Sequence, residues 1–255
     1  MKKTVYFILI LYTCISLHGS TLNDTLQTWM DEGNKAYQNK QYEKAISQYQ
    51  NIIDKNFESA ILFYNLGNAY YKNNEKAKSL LWYERALKLD PSNDDIIHNI
   101  TFVNQKLEDK IETVPVLFIT RWVQSTASSL SSHQWAILSI VSFGIILLSI
   151  LCFLLIHKLW FRYSSVISLI LALFIFIFSI YFAIKNTQIM KNHDDAIVMK
   201  SIVVGKSAPN DSGNDLFVIH EGLKVQITDQ LNDWYEIKLP NGEKGWVAYT
   251  EVERI

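Results

Sequence analysis

Two runs without a single charged residue, 135–156 and 164–184, constrain this chain more than any other feature of its sequence. Each is about twenty residues long, the length an α-helix needs to cross a bilayer's hydrocarbon core. Both are apolar all round, whereas the core helix of a soluble protein keeps a polar face. They read as transmembrane helices, at 135–159 and 164–185, paired as a hairpin. Its short turn at 157–163 carries Lys158 and Arg162 among aromatics suited to headgroup depth, and under the positive-inside rule it is cytoplasmic. Arg121, Lys185 and Lys191 compete with that signal, so orientation rests also on the N-terminus.

There, Met1-Lys2-Lys3, the apolar run from Val5 to Leu17 and the small or polar residues that follow have the layout of a secretory signal peptide, 1–20. A run of about thirteen residues is short for a membrane span, although a retained anchor is the alternative. Leu11-Tyr12-Thr13-Cys14 looks like a lipobox, against which Thr13 counts. Export places both domains flanking the hairpin on the outer face of a bacterial inner membrane. The two cysteines, Cys14 and Cys152, both lie in apolar runs and are not placed to bridge a soluble domain.

Residues 113–134 form a juxtamembrane linker. From Pro115 onward, Ile119, Trp122, Val123, Thr126 and Leu130 fall on one helical face, which fits either an interfacial amphipathic helix or a plain connection. Ser131 and Gln134 make a capping box for the first membrane helix.

Gly33 and Gly67 lie thirty-four residues apart in matching surroundings. Trp29, Gly33, Ala45 and Tyr49 in the first unit, and Phe63, Leu66, Gly67, Tyr70, Tyr83, Ala86 and Pro91 in the second, resemble the tetratricopeptide repeat. Two helical hairpins are expected within 24–112, the small glycines letting helices approach. The stretch 94–110, with Ile96, Ile97, Ile100, Val103 and Leu107 at helical spacing, reads as a capping helix. Ile52, Phe57 and Ser79 depart from the repeat pattern. In such a fold Asn34, Tyr37, Asn65, Asn68, Tyr71 and Asn99 face a concave groove. Their amides and phenols suit an extended peptide backbone without charge selection. The same residue types also belong to the ordinary repeat pattern.

Beyond Lys191, alternating segments broken by turn signals at 208–214 and at Pro240-Asn241-Gly242 predict a small all-β barrel over 194–255. Its expected core draws on Val203, Phe217, Val225, Ile227, Ile237 and Val247. Glu221-Gly222, Asp233-Trp234-Tyr235 and Gly245-Trp246-Val247 resemble bacterial SH3 domains. Trp234, Tyr235 and Trp246 are the ligand candidates, and in so small a domain one or two of them must be core.

No catalytic machinery is expected. The six histidines are scattered without metal-ligand spacing, and no phosphate loop, nucleophile elbow or zinc helix motif occurs. No cofactor or metal is anticipated. A net charge of −1 gives no basic excess for nucleic acid.

The order of parts, together with the junction from Asn99 to Pro115, Arg121-Trp122 and Trp135 to Ser139, resembles the BatE family of the Bat aerotolerance operons. Leu216 to Gly222 and Trp234 to Ile237 carry the same resemblance. It implies a subunit of an envelope complex linked to stress tolerance, with von Willebrand factor A domain Bat proteins as partners; with no catalytic motif, the chain reads as a non-enzymatic scaffold within it. A cell-wall sensor, its SH3-like domain binding peptidoglycan peptides, is the alternative.

Overall fold

The computed structural model describes residues 24–111, 118–191 and 194–255. The leader, with Cys14, and Pro115 lie outside these. Five helices open the described chain: α1 (24–38), α2 (Tyr42–Ile53), α3 (Ala60–Lys72), α4 (Lys76–Leu89) and α5 (Asp94–Asn104). They form two antiparallel hairpins and a cap. Ser59 and Asn93 begin α3 and α5 by accepting hydrogen bonds from the Leu62 and Ile96 amides. Lys40, Asn56 and Asn74 take positive φ in the intervening turns, a conformation asparagine tolerates better than most residues.

The glycines act as their spacing implies. A Cβ on Gly33 would sit 2.5 Å from the Tyr49 ring, and one on Gly67 would sit 2.6 Å from the Tyr83 ring. Each tyrosine of the second helix therefore lies directly on the first. In α5 the residues buried against the repeats are Ile96, Ile100 and Val103, with Leu107 just beyond the helix end. Ile97 stands about 100° away from that stripe and points outward, exposed.

Helices α6 (Phe118–Ser128), α7 (Ser132–Leu155) and α8 (Leu159–Lys191) follow. Windows of both α7 and α8 reach a mean hydropathy of 2.8, long and apolar enough to cross a membrane. Ser131 and Gln134 close the capping box at the start of α7. Small residues are buried on both long helices, Ser142 and Ser149 on α7 and Ser165, Ala172 and Ser179 on α8, and Ser149 Oγ donates to Ser168 Oγ at 3.0 Å across the pair. Small side chains permit close backbone approach, which drives helix pairing where lipid offers no hydrophobic gain. Helix α8 begins at Leu159, so residues 159–163, read as turn from the sequence, form its first helical turns. Arg162 there stacks 4.6 Å from the centre of the Phe153 ring on α7. At 33 residues, α8 is about 50 Å long, against a hydrocarbon core of about 30 Å. Its last turns thus continue beyond a span.

The C-terminal sheet has seven strands: β1 (Asp195–Val198), β2 (Ile202–Lys206), β3 (Asp215–His220), β4 (Lys224–Leu231), β5 (Trp234–Lys238), β6 (Lys244–Ala248) and β7 (Val252–Arg254), with a 3-10 turn at Tyr249–Glu251. Their spatial order is β3-β2-β6-β5-β4-β1-β7, every pairing antiparallel. The small barrel encloses Val203, Ile219, Val225, Ile227, Ile237 and Val247 among others. Phe217, expected in that core, is only partly buried and lies across two glycines. A Cβ on Gly205 would meet its ring at 2.2 Å, and one on Gly245 at 2.8 Å.

The barrel and the repeats are docked against each other. Along β1, Ala196 and Val198 point into the barrel core while Ile197 joins the repeat core, so this strand is apolar on both faces. Ile255 enters the same repeat core. Gly222, at φ +91°, fits beneath Leu107, where a Cβ would stand 2.6 Å from its Cδ2. A polar rim surrounds this apolar contact. Lys224 Nζ bridges Glu84 at 2.8 Å and Asp195 at 3.2 Å, and Arg85 reaches Glu253 at 3.1 Å and donates to the Arg254 carbonyl at 2.8 Å. Lys88 Nζ donates to the backbone oxygen of Ile255 at 2.8 Å.

Candidate functional site

The repeats carry a hydrogen-bonded ladder that recurs once per unit. In the first, the Tyr49 hydroxyl donates to Asn34 Oδ1 at 2.8 Å and Asn65 Nδ2 donates to the same oxygen at 3.2 Å. In the second, the Tyr83 hydroxyl donates to Asn68 Oδ1 at 2.6 Å and Asn99 Nδ2 donates to it at 3.0 Å. Burial pushes the Tyr49 phenol up to about 12 and raises that of Tyr83 as well. Both hydroxyls therefore remain protonated donors near neutral pH, and they fix which way the asparagine amides face.

The consequence is a patterned surface. With Oδ1 occupied, Asn34 and Asn68 keep their NH2 groups as donors, and Asn65 and Asn99, having donated, keep Oδ1 as an acceptor. A peptide backbone presents the complementary carbonyl and amide. Asn34, Tyr37, Gln38, Tyr49, Asn65 and Asn68 line a cleft of about 170 Å³. Tyr37 packs edge-on to Tyr42, with ring centres 5.5 Å apart.

Of the six residues expected in the groove, Asn34, Tyr37, Asn65 and Asn68 line this cleft, and Asn99 extends the ladder through Asn68 and the Tyr64 hydroxyl. Tyr71 does not join them. It packs edge-on against Phe102, 5.7 Å between ring centres. Gln38 joins them at the cleft, and the hydroxyls of Tyr49, Tyr64 and Tyr83 bond the groove asparagines, none of which the repeat pattern marks as groove residues. The signal was present: Tyr49 and Tyr83 each lie fifteen residues after a groove asparagine, although the spacing alone marks them as packing rings.

In the barrel, strand register separates the three aromatic candidates. Trp234 pairs with Ala248 and Glu236 with Trp246, so alternation puts Trp234, Glu236 and Trp246 on one face, with Tyr235 on the other. Tyr235 packs against the barrel core and stacks with Arg254, 4.8 Å to the ring centre. Trp234 and Trp246 are half-buried on the outer face. Between them Glu236 accepts from Lys244 at 2.8 Å and from the Thr228 hydroxyl, and those bonds hold its carboxyl below the usual range. Exposed Tyr249 adjoins this face, its amide donating to the Asp233 carbonyl at 2.9 Å. Among the described residues, no group of three or more metal-ligating side chains is gathered in one place.

Residues 30–94 match the family model described as tetratricopeptide repeat, and residues 206–253 match the one described as bacterial SH3 domain. Both modules are present in this chain. No curated protein matches it. The two modules are of kinds that typically bind proteins or, for bacterial SH3 domains, peptidoglycan, and are typically non-catalytic. The pair of long apolar helices points to membrane insertion.

Proposed function

We propose that this protein is a non-enzymatic, membrane-anchored adaptor whose repeat groove grips an extended segment of a partner protein by its main chain. The alternating donor and acceptor ladder of Asn34, Asn65, Asn68 and Asn99 carries this reading. It offers no charge for side-chain selection and two copies of the same main-chain recognition unit. The hairpin holds both modules on the extracytoplasmic face of a bacterial inner membrane, and Trp234 and Trp246 supply a second contact, so that two weak contacts together give avidity. The resemblance to the BatE family favours membrane proteins with von Willebrand factor A domains as partners in a Bat-type envelope complex.

A photoreactive side chain in place of exposed Gln38, at the cleft, tests the groove in cells. Crosslinked adducts with a membrane protein are expected, and Asn68→Asp abolishes them. That change keeps an acceptor for Tyr83 and Asn99 but removes the donor. Adducts that survive in a folded Asn68→Asp variant refute recognition by the ladder.

The outward pair Trp234 and Trp246 also favours a second reading, in which the barrel senses peptidoglycan stem peptides. Sedimentation with insoluble cell wall, lost on Trp246→Ala, supports that sensor. Absence of sedimentation by the wild-type chain excludes it.

A further inference from the structure

We infer that α6 is a membrane-interface anchor, seated in the headgroup region of the same bilayer that the α7–α8 hairpin crosses, with Phe118 and Trp122 inserted toward the acyl chains. The inference rests on the reading of α7 and α8 as a membrane hairpin. The helix has two apolar faces with different fates. One, formed by Val123 and Ala127 and continued by Leu130, packs on Trp135 of α7 and Phe182 of α8. The other presents Phe118, 79 % exposed, and Trp122, 55 % exposed, one turn apart. The single stripe expected from the sequence placed Trp122 with Val123 and Leu130. Trp122 instead faces outward, because the inward face is already filled by Trp135 and Phe182. The side chain of Ile119 lies outside the described residues.

Position identifies what covers the bare face. Helix α6 is bonded to the end of the hairpin: Asn186 Nδ2 donates to the carbonyls of Ala127 at 2.8 Å and Leu130 at 3.0 Å, and Trp135 Nε1 donates to Ala127 at 3.1 Å. Ser132 and Thr187 join their hydroxyls at 2.7 Å at the same level. Polar groups that satisfy one another mark the boundary where the apolar spans give way to headgroups. Near that level the hairpin exposes Tyr181 and Ile184, as α6 exposes Phe118 and Trp122. A tryptophan and a phenylalanine side by side at that depth are the residues that partition into the interface. The anchor would brace the docked modules, since only three residues separate the end of α8 at Lys191 from the start of β1 at Asp195.

The test uses the full chain in phosphatidylcholine nanodiscs, with Cys14→Ser and Cys152→Ser as background. Nitroxide labels are placed singly at Phe118→Cys, Trp122→Cys, Ile140→Cys on the hairpin and Asn210→Cys in a barrel loop. Labels at 118 and 122 are expected to collide with oxygen more than with a water-soluble nickel chelate, between the values at 140 and 210. Values at 118 and 122 equal to that at 210, with 140 in lipid, overturn the anchor and leave the hairpin standing. A 140 label in water overturns both. An independent readout leaves the fold untouched: Trp122→Phe should lower the fraction of emission quenched by lipids brominated near the headgroup end of their chains, the remainder belonging to exposed Trp160 at the other end of the hairpin. Quenching unaltered by that substitution contradicts the inference.

Discussion

Truncating Ile197 to alanine should undock the two modules without dismantling either. The side chain is 1 % exposed and belongs to the repeat core, although its strand is part of the barrel. Loss of a buried isoleucine to alanine costs about 2–5 kcal/mol. Its neighbours Ala196 and Val198 keep the barrel core filled, so the cost falls on the docked state. At about 1.4 kcal/mol per tenfold, the docking constant drops by a factor of about 30 or more. Hydrogen exchange followed by mass spectrometry reads this directly. Amides of β7, whose Arg254 carbonyl is held by Arg85, and of the turn at Gly222 should lose protection in Ile197→Ala, while β4 and β5 keep theirs. Thermal unfolding should split from one transition into two. Uniform loss of protection through the barrel, with β7 no worse than β5, would refute the shared-strand interface.

Gly67→Ala should destabilise the repeats in chemical denaturation despite a helix-propensity gain of about 1 kcal/mol, because overpacking against Tyr83 costs about 1–3 kcal/mol; a more stable variant would show that α3 and α4 are not in this contact. Docking should weaken as pH rises. Asp109 accepts from both the amide of His220, at 2.6 Å, and its ring, at 2.8 Å, with Glu108 3.6 Å away, and the Asp109 bond above all raises the histidine's pKa. A raised pKa means that docking binds a proton, so the contribution is full below the usual value of 6.5 and lost as pH climbs through the raised one. Hydrogen exchange at β3 compared at acidic and alkaline pH should show this, and His220→Gln should flatten the difference; an unchanged slope in that variant would assign the effect elsewhere. Lys224→Met should expose the interface, since Glu84 and Asp195 would face each other without the cation that Lys224 places between them; unaltered protection of β1 would contradict that role.

The repeats, the two apolar helices and the barrel were legible because each follows a strong period: thirty-four residues between Gly33 and Gly67, uncharged runs of about twenty, and alternation along the strands. The groove asparagines followed from the repeat register. Their fixed amide orientations did not, because they depend on Tyr49 and Tyr83 hydroxyls brought from neighbouring helices. Nor did the docking of barrel on repeats. Its contacts join Glu84 to Lys224 and Asp109 to His220, over a hundred residues apart, and no local pattern encodes such pairs. The continuous apolar run of β1 was the one available hint, since a strand buried on a single face would alternate. The split of the α6 stripe was hidden for a similar reason: helical spacing groups Trp122 with Val123 and Leu130, but Trp135 and Phe182 cover only the part that carries Val123, Ala127 and Leu130.

The decisive measurement is the side of the membrane on which each part lies. Single cysteines at Glu58 in the repeats, Leu159 at the hairpin turn and Asn210 in the barrel are all exposed positions, and a membrane-impermeant maleimide can be applied to spheroplasts before and after lysis. A hairpin that holds both modules outside predicts labelling at 58 and 210 before lysis and at 159 only afterwards. Labelling of 58 and 210 on opposite sides, or of 159 alone before lysis, would contradict it.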